Sequence, residues 1–305
     1  MKNVYMIHKK RNMAWRSALC AILLLALSPA VIPADDYPAL RDSRDPLLQQ
    51  QLEQLIRHRG LRNAVAQERL AVAVVDISNR HKPRMAAVNG DTMEYAASLP
   101  KLAILLAAFV EIEAGTLELT TELREDMTRM IRHSSNVAAT RVLDQVGRER
   151  LLEILQLPRF MFYDKRYGGG LWVGKAYAKA GAYQRDPLHN ISHGATVIQG
   201  ARFYYLLETG QLVNPELTRE MKTILSRPAI NHKFVKGLQS RPGATIYRKS
   251  GTWKNFHADS ALVEYQQHSY IIVGLAEDRR GSEWLTDLAP RLHDLVVSDP
   301  QPEAD

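Results

Sequence analysis

Cysteine is nearly absent from this sequence. Its 305 residues contain one cysteine, Cys20, close to the start of the chain. If residues 1–34 are removed as argued below, no thiol and no disulfide remain, so the rest of the chain depends on its hydrophobic core for stability. Internal repeats and low-complexity tracts are absent as well. About 270 residues remain, enough for one large domain or two interleaved lobes.

Acidic residues are absent from the first 34 positions, which contain five lysines or arginines and the apolar run Ala18–Leu27. Small residues and prolines follow this run. A positive start, a short apolar core and a small-residue exit predict a secretory signal peptide, cleaved after Ala30 or Ala34. The alternative is an uncleaved N-terminal anchor, although the apolar run is short for a membrane span. We therefore expect a periplasmic or secreted protein with no stable membrane insertion after cleavage.

Little positive charge is left once this segment is set aside. The net charge of the whole chain is +7, and without the five positive charges of residues 1–34 it falls to +2. A weakly charged chain gives no reason to expect a nucleic-acid partner. His189 and His193 could share a metal if they lay on one helix, but no third ligand is evident by spacing, and surface histidines are the better interpretation. We expect no metal and no cofactor.

Strand and helix patterns follow one another in an α+β order. Strands are predicted at 70–77, 244–249, 257–265 and 270–276, and helices at 46–59, 99–114, 127–146, 196–207 and 284–297. Strands near both ends with helices between them predict a mainly antiparallel sheet with a helical insert. We expect one catalytic domain in residues 35–305. Its sheet lobe would comprise about 46–97 and 244–297, and its helical lobe about 98–243.

The segment Ser98-Leu99-Pro100-Lys101 is the first of three that carry candidate chemistry. Proline is tolerated in a helix only in the first turn, so Pro100 places Ser98 at the N-terminal end of the predicted helix. Lys101 lies three residues on and shares that face. A serine hydroxyl needs a base to act as a nucleophile, and a lysine against an apolar helix can have a lowered pKa and be that base. The alternative is an N-cap serine beside a solvent-exposed lysine.

The second segment, Ser134-Ser135-Asn136, interrupts a helical stretch. Such residues are common at helix caps, and a cap alone is one interpretation. In the catalytic interpretation, the Ser134 hydroxyl relays a proton to a leaving nitrogen. Asn136 then binds a substrate amide or steadies Lys101.

The third segment, Lys249-Ser250-Gly251-Thr252, follows on a predicted strand. Gly251 lets another backbone approach the strand closely. The N–H of Thr252 can then be offered to an oxyanion, while Lys249 supplies positive charge for a substrate carboxylate. The alternative is a strand that ends in a turn.

Taken in order, the three segments resemble the motifs of the penicillin-recognising serine enzymes, most closely class A β-lactamases, which read Ser-x-x-Lys, Ser-x-Asn and Lys-Thr/Ser-Gly. Flanking residues at 89–97, 130–133 and 143–147 are similar too, and the resemblance covers about 50–297. It implies a β-lactamase/transpeptidase-like fold, in which an antiparallel sheet is flanked by helices and joined by a helical subdomain. The implied substrate is a small-molecule β-lactam or a peptidoglycan-type amide.

The resemblance also assigns roles. Ser98 would be the acylated nucleophile, and Lys101 its base or part of the proton relay. Ser134 would protonate the departing nitrogen. Lys249 and Thr252 would hold the substrate carboxylate, and the backbone N–H groups of Ser98 and Thr252 would form the oxyanion hole.

A glutamate typical of class A enzymes is missing. That family carries Glu-x-x-Leu-Asn between the second and third motifs, whereas residues 154–207 contain no glutamate, and Ser135 replaces the aspartate of the second motif. Without a base for the attacking water, an ester on the nucleophile can persist, as in penicillin-binding proteins. Asp186 could be a substitute base or could hold its loop by an ion pair, and the second role is preferred. Lys175 and Tyr177 are further candidates.

Three functions remain open at this point. The first is a β-lactamase with an unusual deacylation apparatus, and the second is a peptidoglycan D,D-peptidase or related amidase or esterase. The third is a penicillin-binding sensor that is acylated once and stays blocked. All three predict a covalent adduct on Ser98 and differ in what happens to it, and we favour the first because the flanking residues are nearest to class A.

Overall fold

The structure, a computed structural model, describes residues 37–179 and 181–298. The predicted signal peptide therefore lies outside the described residues. The helices are α1 (Pro46–His58), α2 (Arg62–Ala66), α3 (Lys101–Glu113), α4 (Thr121–Arg132), α5 (Asn136–Val146), α6 (Arg148–Gln156), α7 (Val197–Glu208), α8 (Pro215–Leu225), α9 (Phe234–Gly237) and α10 (Gly281–Val297). The strands are β1 (Leu70–Asp76), β2 (Arg84–Val88), β3 (Glu94–Tyr95), β4 (Tyr163–Asp164), β5 (Gly169–Gly170), β6 (Trp172–Val173), β7 (His193–Ala195), β8 (Thr245–Trp253), β9 (Phe256–Tyr265) and β10 (His268–Glu277).

The main sheet has five antiparallel strands in the order β2-β1-β10-β9-β8. All seven residues of β1 are buried, because α1 and α10 pack on one side of the sheet and α3 and α7 contribute to the core on the other. A strand covered on both faces reads as a continuous apolar run rather than an alternation, as this one does. The predicted antiparallel sheet flanked by helices is confirmed.

Helix α3 runs through the middle of the helical part. Its first ten residues, from Lys101 to Val110, are all buried, as expected for a helix that is apolar on every side. Helices α4, α5, α6 and α8 pack around it. Because α3 begins directly after Ser98, this packing fixes the position of the candidate nucleophile.

Two predicted boundaries are wrong in ways that matter for the site. The helix predicted at 127–146 is two helices, because Ser134 has a left-handed backbone (φ 55°) and Ser135 caps α5 by accepting a hydrogen bond from Ala138 N. The strand predicted at 244–249 continues to Trp253, so the third motif lies inside β8. Helices α6 and α8 were not predicted.

A small three-stranded sheet, β3-β7-β6, connects the residues before Ser98 with the loop that follows α6. Gly174 ends β6 where the loop folds back tightly. A Cβ there would overlap Gln184 O and lie 2.8 Å from Trp172 Nε1, so a side chain would push the loop apart. In the part of the chain that the structure describes, no helix is long and apolar enough to cross a bilayer.

Candidate active site

The three motif segments meet in one place. Ser98 lies in the turn before α3, Ser134 lies between α4 and α5, and Lys249 lies on β8. Lys249 Nζ donates to Ser134 Oγ at 3.0 Å. The backbone of Gly251 passes so close to the first segment that a Cβ built on it would lie 2.7 Å from Ser98 N. A helix end, a helix break and a strand edge therefore meet at one site, and we call the space between Ser98, Ser134 and Lys249 the cleft.

Ser98 sits in a strained turn. Ala97, the residue before it, has a left-handed backbone with φ 51°, which is uncommon for a residue other than glycine. Pro100 then precedes the first residue of α3, as expected for a proline at a helix start. The Ser98 side chain is half-buried, and no hydrogen bond joins its hydroxyl to Lys101 Nζ within the described residues. Such contacts are often loose in the absence of substrate.

Lys101 is fully buried at the base of the cleft (0% exposed). Its Nζ donates to the Ser134 carbonyl at 2.7 Å and to Asn136 Oδ1 at 2.8 Å. Burial lowers the pKa of Lys101 to about 7. A neutral amine has two N–H groups, which these two oxygens satisfy, and its lone pair is then left to accept a proton. The side chain is thus arranged as a base one helical turn from Ser98.

The Ser134 hydroxyl lies between two lysines. Its Oγ accepts from Lys249 Nζ at 3.0 Å and lies 3.5 Å from Lys101 Nζ. A hydroxyl can accept and donate at the same time, so Ser134 can accept from Lys249 while its own proton is donated to neutral Lys101 or to a third partner in the cleft. This geometry suits a proton relay.

Lys249 is buried as well (1% exposed) and also donates to the Ser250 carbonyl at 2.5 Å. Burial, and then the charge of Lys101, lowers the pKa of Lys249 well below its ordinary value. A cleft with two desolvated amines attracts an anion, because an incoming carboxylate stabilises their charged forms. The arrangement fits the predicted carboxylate contact.

Thr252 lies at the exposed end of this strand segment, next to Gly251. The oxyanion hole expected from the N–H groups of Ser98 and Thr252 stays a prediction, since it is defined by a bound carbonyl oxygen. The close approach of Gly251 to Ser98 N does place the two segments side by side, as that prediction requires.

Lys233 is a site residue that was not predicted. It is buried (1% exposed), and its Nζ donates to the Gly251 carbonyl at 2.6 Å, to Thr252 Oγ1 at 2.8 Å and to the Ala258 carbonyl at 3.0 Å. Burial lowers the pKa of Lys233 to about 8. Because Thr252 Oγ1 accepts from this lysine, its own proton is free to be donated to an anion in the cleft.

A buried ion pair holds this region in place. Arg248 Nε lies 2.7 Å from Asp259 Oδ1, and Asp259 Oδ2 accepts from Phe234 N at 3.0 Å. The pair thereby connects β8 and β9 to the segment that carries Lys233. Removing one partner would leave a buried charge uncompensated.

Asp186, the candidate deacylating base, is engaged elsewhere. Its two carboxylate oxygens accept from the Tyr163 hydroxyl and from His189 N. The side chain is buried and holds the loop through these two hydrogen bonds rather than through the predicted ion pair, which favours a structural role. His189 and His193 contact the carbonyls of Gly168 and Lys175 through Nε2. No group of three or more His, Cys, Asp or Glu placed to hold a metal is found among residues 37–179 and 181–298.

Tyr177 contacts the site from this same loop. The Lys101 Nζ lies 4.4 Å from the centre of its ring, and its hydroxyl donates to the Ala97 carbonyl at 3.1 Å. The ring also packs on His193, with centroids 4.3 Å apart. Tyr177 was predicted only as a possible base, yet burial raises the pKa of its hydroxyl well above the ordinary value.

A sequence profile described as the beta-lactamase enzyme family matches residues 120–296, and no curated protein matches.

Among solved structures, PBP-A is 20% identical with a TM-score of 0.61, over 84% of this chain and 97% of that one. A mutant of PBP-A is described as an acyl-enzyme complex with penicillin G. A β-lactamase from Sphaerobacter thermophilus is 16% identical (TM-score 0.61, 78% of this chain and 96% of that one). A class A β-lactamase from Bacteroides cellulosilyticus is 14% identical (TM-score 0.62, 83% and 99%). These likenesses confirm the expected β-lactamase/transpeptidase-like fold.

Proposed function

The chain belongs to the beta-lactamase enzyme family, and from this premise we propose that it is a serine hydrolase that opens the amide of a β-lactam through an ester on Ser98. The observation that carries the proposal is the environment of Lys101. Its buried amine has two oxygen acceptors, a pKa lowered to about 7 and a position one turn from Ser98. A base with a pKa near the working pH is what a serine nucleophile needs.

The proposed acylation uses the cleft as follows. The substrate carboxylate lies against Lys249 and the Thr252 hydroxyl, and its amide carbonyl faces the N–H groups of Ser98 and Thr252. Ser98 Oγ attacks the carbonyl carbon as Lys101 takes its proton. The C–N bond then breaks as Ser134 passes a proton to the nitrogen and is reprotonated from Lys101. The product is an ester on Ser98.

A second candidate, a peptidoglycan D,D-peptidase, is favoured by one observation. In the described residues, the hydrogen-bond partners of Lys101 are Ser134 and Asn136, and the lowered pKa of Lys101 has burial as its cause with no carboxylate contribution. Asp186 is occupied by Tyr163. Within residues 37–179 and 181–298, no carboxylate is therefore hydrogen-bonded to Lys101 to act as a base for the attacking water. Slow release of β-lactams is typical of penicillin-binding enzymes.

The test is labelling by a fluorescent penicillin, followed by measurement of release. We expect Ser98→Ala to abolish labelling and Ser226→Ala to leave it unchanged, because Ser226 ends α8 outside the cleft and donates to Thr223 O. Labelling that survives in Ser98→Ala would refute the nucleophile. Release of opened penicillin within seconds would support a β-lactamase. Persistence of the adduct together with cleavage of a D-Ala-D-Ala peptide would support the D,D-peptidase.

Export is part of the proposal. The basic residues, the apolar run and the small-residue exit of residues 1–34 support a cleaved signal peptide, which would deliver the enzyme to the compartment where β-lactams and peptidoglycan occur. N-terminal sequencing of the protein from a periplasmic or culture fraction should find a start at Val31 or Asp35. A start at Met1 would refute cleavage.

A further inference from the structure

Tyr177 covers the amine of Lys101. The Lys101 Nζ lies 4.4 Å from the centre of the Tyr177 ring, so the ring helps to bury the amine and to keep it neutral. The Tyr177 hydroxyl reaches past it to the Ala97 carbonyl, next to Ser98. The ring therefore covers one of the sides of Lys101 that Ser134 and Asn136 do not occupy, and the side towards Ser98 stays open.

His193 supports the ring from behind. Its Nε2 contacts the Lys175 carbonyl at 2.9 Å and its Nδ1 contacts Ser192 Oγ at 3.1 Å, so both ring nitrogens are engaged. Burial lowers the pKa of His193 to about 4, and it stays neutral at neutral pH. Tyr95 of β3 meets His193 edge to face at 6.1 Å. Tyr177, His193 and Tyr95 thus form a continuous aromatic layer, which we call the aromatic cover.

We propose that Tyr177 is a positioning residue whose ring keeps water away from Lys101 and from the turn before Ser98, and thereby slows hydrolysis of the Ser98 ester. This inference rests on the proposed function, because it concerns the second half of that reaction. Residues 154–207 contain no glutamate, and an aromatic ring occupies the space beside Lys101.

In the proposed hydrolysis, water reaches the ester from the side of Lys101 that the ring covers. The water oxygen would attack the ester carbonyl while one of its protons passes to neutral Lys101. The bond from the carbonyl carbon to Ser98 Oγ would then break, and Lys101 would return the proton to Ser98. All atoms of this step come from the ester, the water and Lys101, so removing the ring is sufficient to permit it.

The test compares Tyr177→Ala with Tyr177→Phe. Tyr177→Phe keeps the ring over Lys101 and removes only the hydrogen bond to the Ala97 carbonyl, so it is the matched control. For Tyr177→Ala we expect the penicillin adduct to decay at least about tenfold faster than in wild type, since water gains access to the ester and its base. For Tyr177→Phe we expect a decay rate close to that of wild type. If Tyr177→Ala does not fold, Tyr177→Thr replaces it with the same expectation.

A second measurement does not depend on acylation. Nuclear magnetic resonance titration of ¹³C-labelled lysine follows the Lys101 amine directly, with Lys101→Met used for assignment. Removing the cover should raise the titration midpoint of Lys101 by about one pH unit or more, because a hydrated ammonium is favoured. The titratable groups facing Lys101 are Lys249 from β8, His193 from β7 and Tyr177 itself, and the first two are unchanged in both variants.

The outcomes distinguish the inference about Tyr177 from the proposed function of Ser98. Faster decay and a raised midpoint in Tyr177→Ala, with Tyr177→Phe near wild type, support the cover. Equal decay or an unchanged midpoint in Tyr177→Ala overturns it, even when Ser98 is acylated normally. Absence of any adduct on wild type refutes the proposed function, and the titration then decides the inference about Lys101 by itself.

Discussion

Replacement of Gly251 by alanine should disable the site without unfolding the protein. Gly251 lies within β8, where its backbone passes beside the turn that carries Ser98. A Cβ at this position would lie 2.7 Å from Ser98 N and 2.9 Å from Leu99 N, and closer still to the Ala96 carbonyl. All three are backbone atoms, so no side chain can rotate away to make room.

The size of the effect follows from these distances. Ordinary contacts of a methyl carbon begin at about 3.4 Å or more, so the strand and the Ser98 turn must separate by roughly 1 Å. Catalytic geometry is sensitive to such shifts, and a displacement of about 1 Å can cost on the order of a hundredfold in rate. The same shift would separate the N–H groups of Ser98 and Thr252. We expect the second-order rate of acylation by penicillin to fall about a hundredfold or more.

The assay is the rate of labelling by a fluorescent penicillin, with thermal unfolding measured in parallel. Gly181→Ala is the matched control, because a Cβ there meets nothing within 4 Å, and it should acylate at the wild-type rate. A folded Gly251→Ala protein that is labelled as fast as wild type would refute the claim that β8 and the Ser98 turn form one site.

Three further predictions follow from buried groups. The acylation rate should rise about tenfold per pH unit below pH 7 and level off above pH 8. The reason is that Lys101 acts as a base only when it is neutral, and burial lowers its pKa to about 7. An acylation rate that still rises at pH 10 would contradict this prediction. Asp186→Ala should lower the free energy of unfolding by about 2–4 kcal/mol, because Tyr163 and His189 N lose their acceptor. The folded variant should be acylated and should release the product at the wild-type rates. A variant that is acylated normally but no longer releases the product would assign deacylation to Asp186. Burial raises the pKa of Glu94 to about 8, so the folded state keeps a proton that the unfolded state loses, and stability should decline between about pH 4.5 and 8. Glu94→Gln, whose side chain does not titrate, should remove this pH-dependent loss of roughly 5 kcal/mol in the free energy of urea unfolding, and a loss equal to that of wild type would contradict the prediction.

Local signals explain what could be predicted. Proline favours the first turn of a helix, so Pro100 allowed Ser98 and Lys101 to be placed one turn apart from the sequence alone. The continuous apolar runs of β1 and α3 likewise predict that both elements are buried. Gly251 inside a strand indicated that another backbone segment lies close to it, and in the structure this segment is the turn that carries Ser98.

The places of the remaining site residues depend on how segments that are distant in the sequence pack together. Lys233 lies in a short segment without periodicity, and its contacts with Gly251 and Thr252 exist only because Asp259 holds that segment to the sheet. Tyr177 reaches Lys101 because the loop folds back along β7. Neither position is marked by a propensity, a cap or a turn signal. Tyr177 and Lys233 belong to the site because of tertiary contacts, and no local sequence pattern predicts such contacts.

The most direct test of the central claim is the identity of the acylated residue. Digestion with trypsin after treatment with penicillin should yield the peptide Met85–Lys101, in which Ser98 is the only serine. The account predicts that the mass of the opened penicillin is found on Ser98 in this peptide and on no other. An adduct mapped to Ser134, to a lysine or to any other peptide would contradict it.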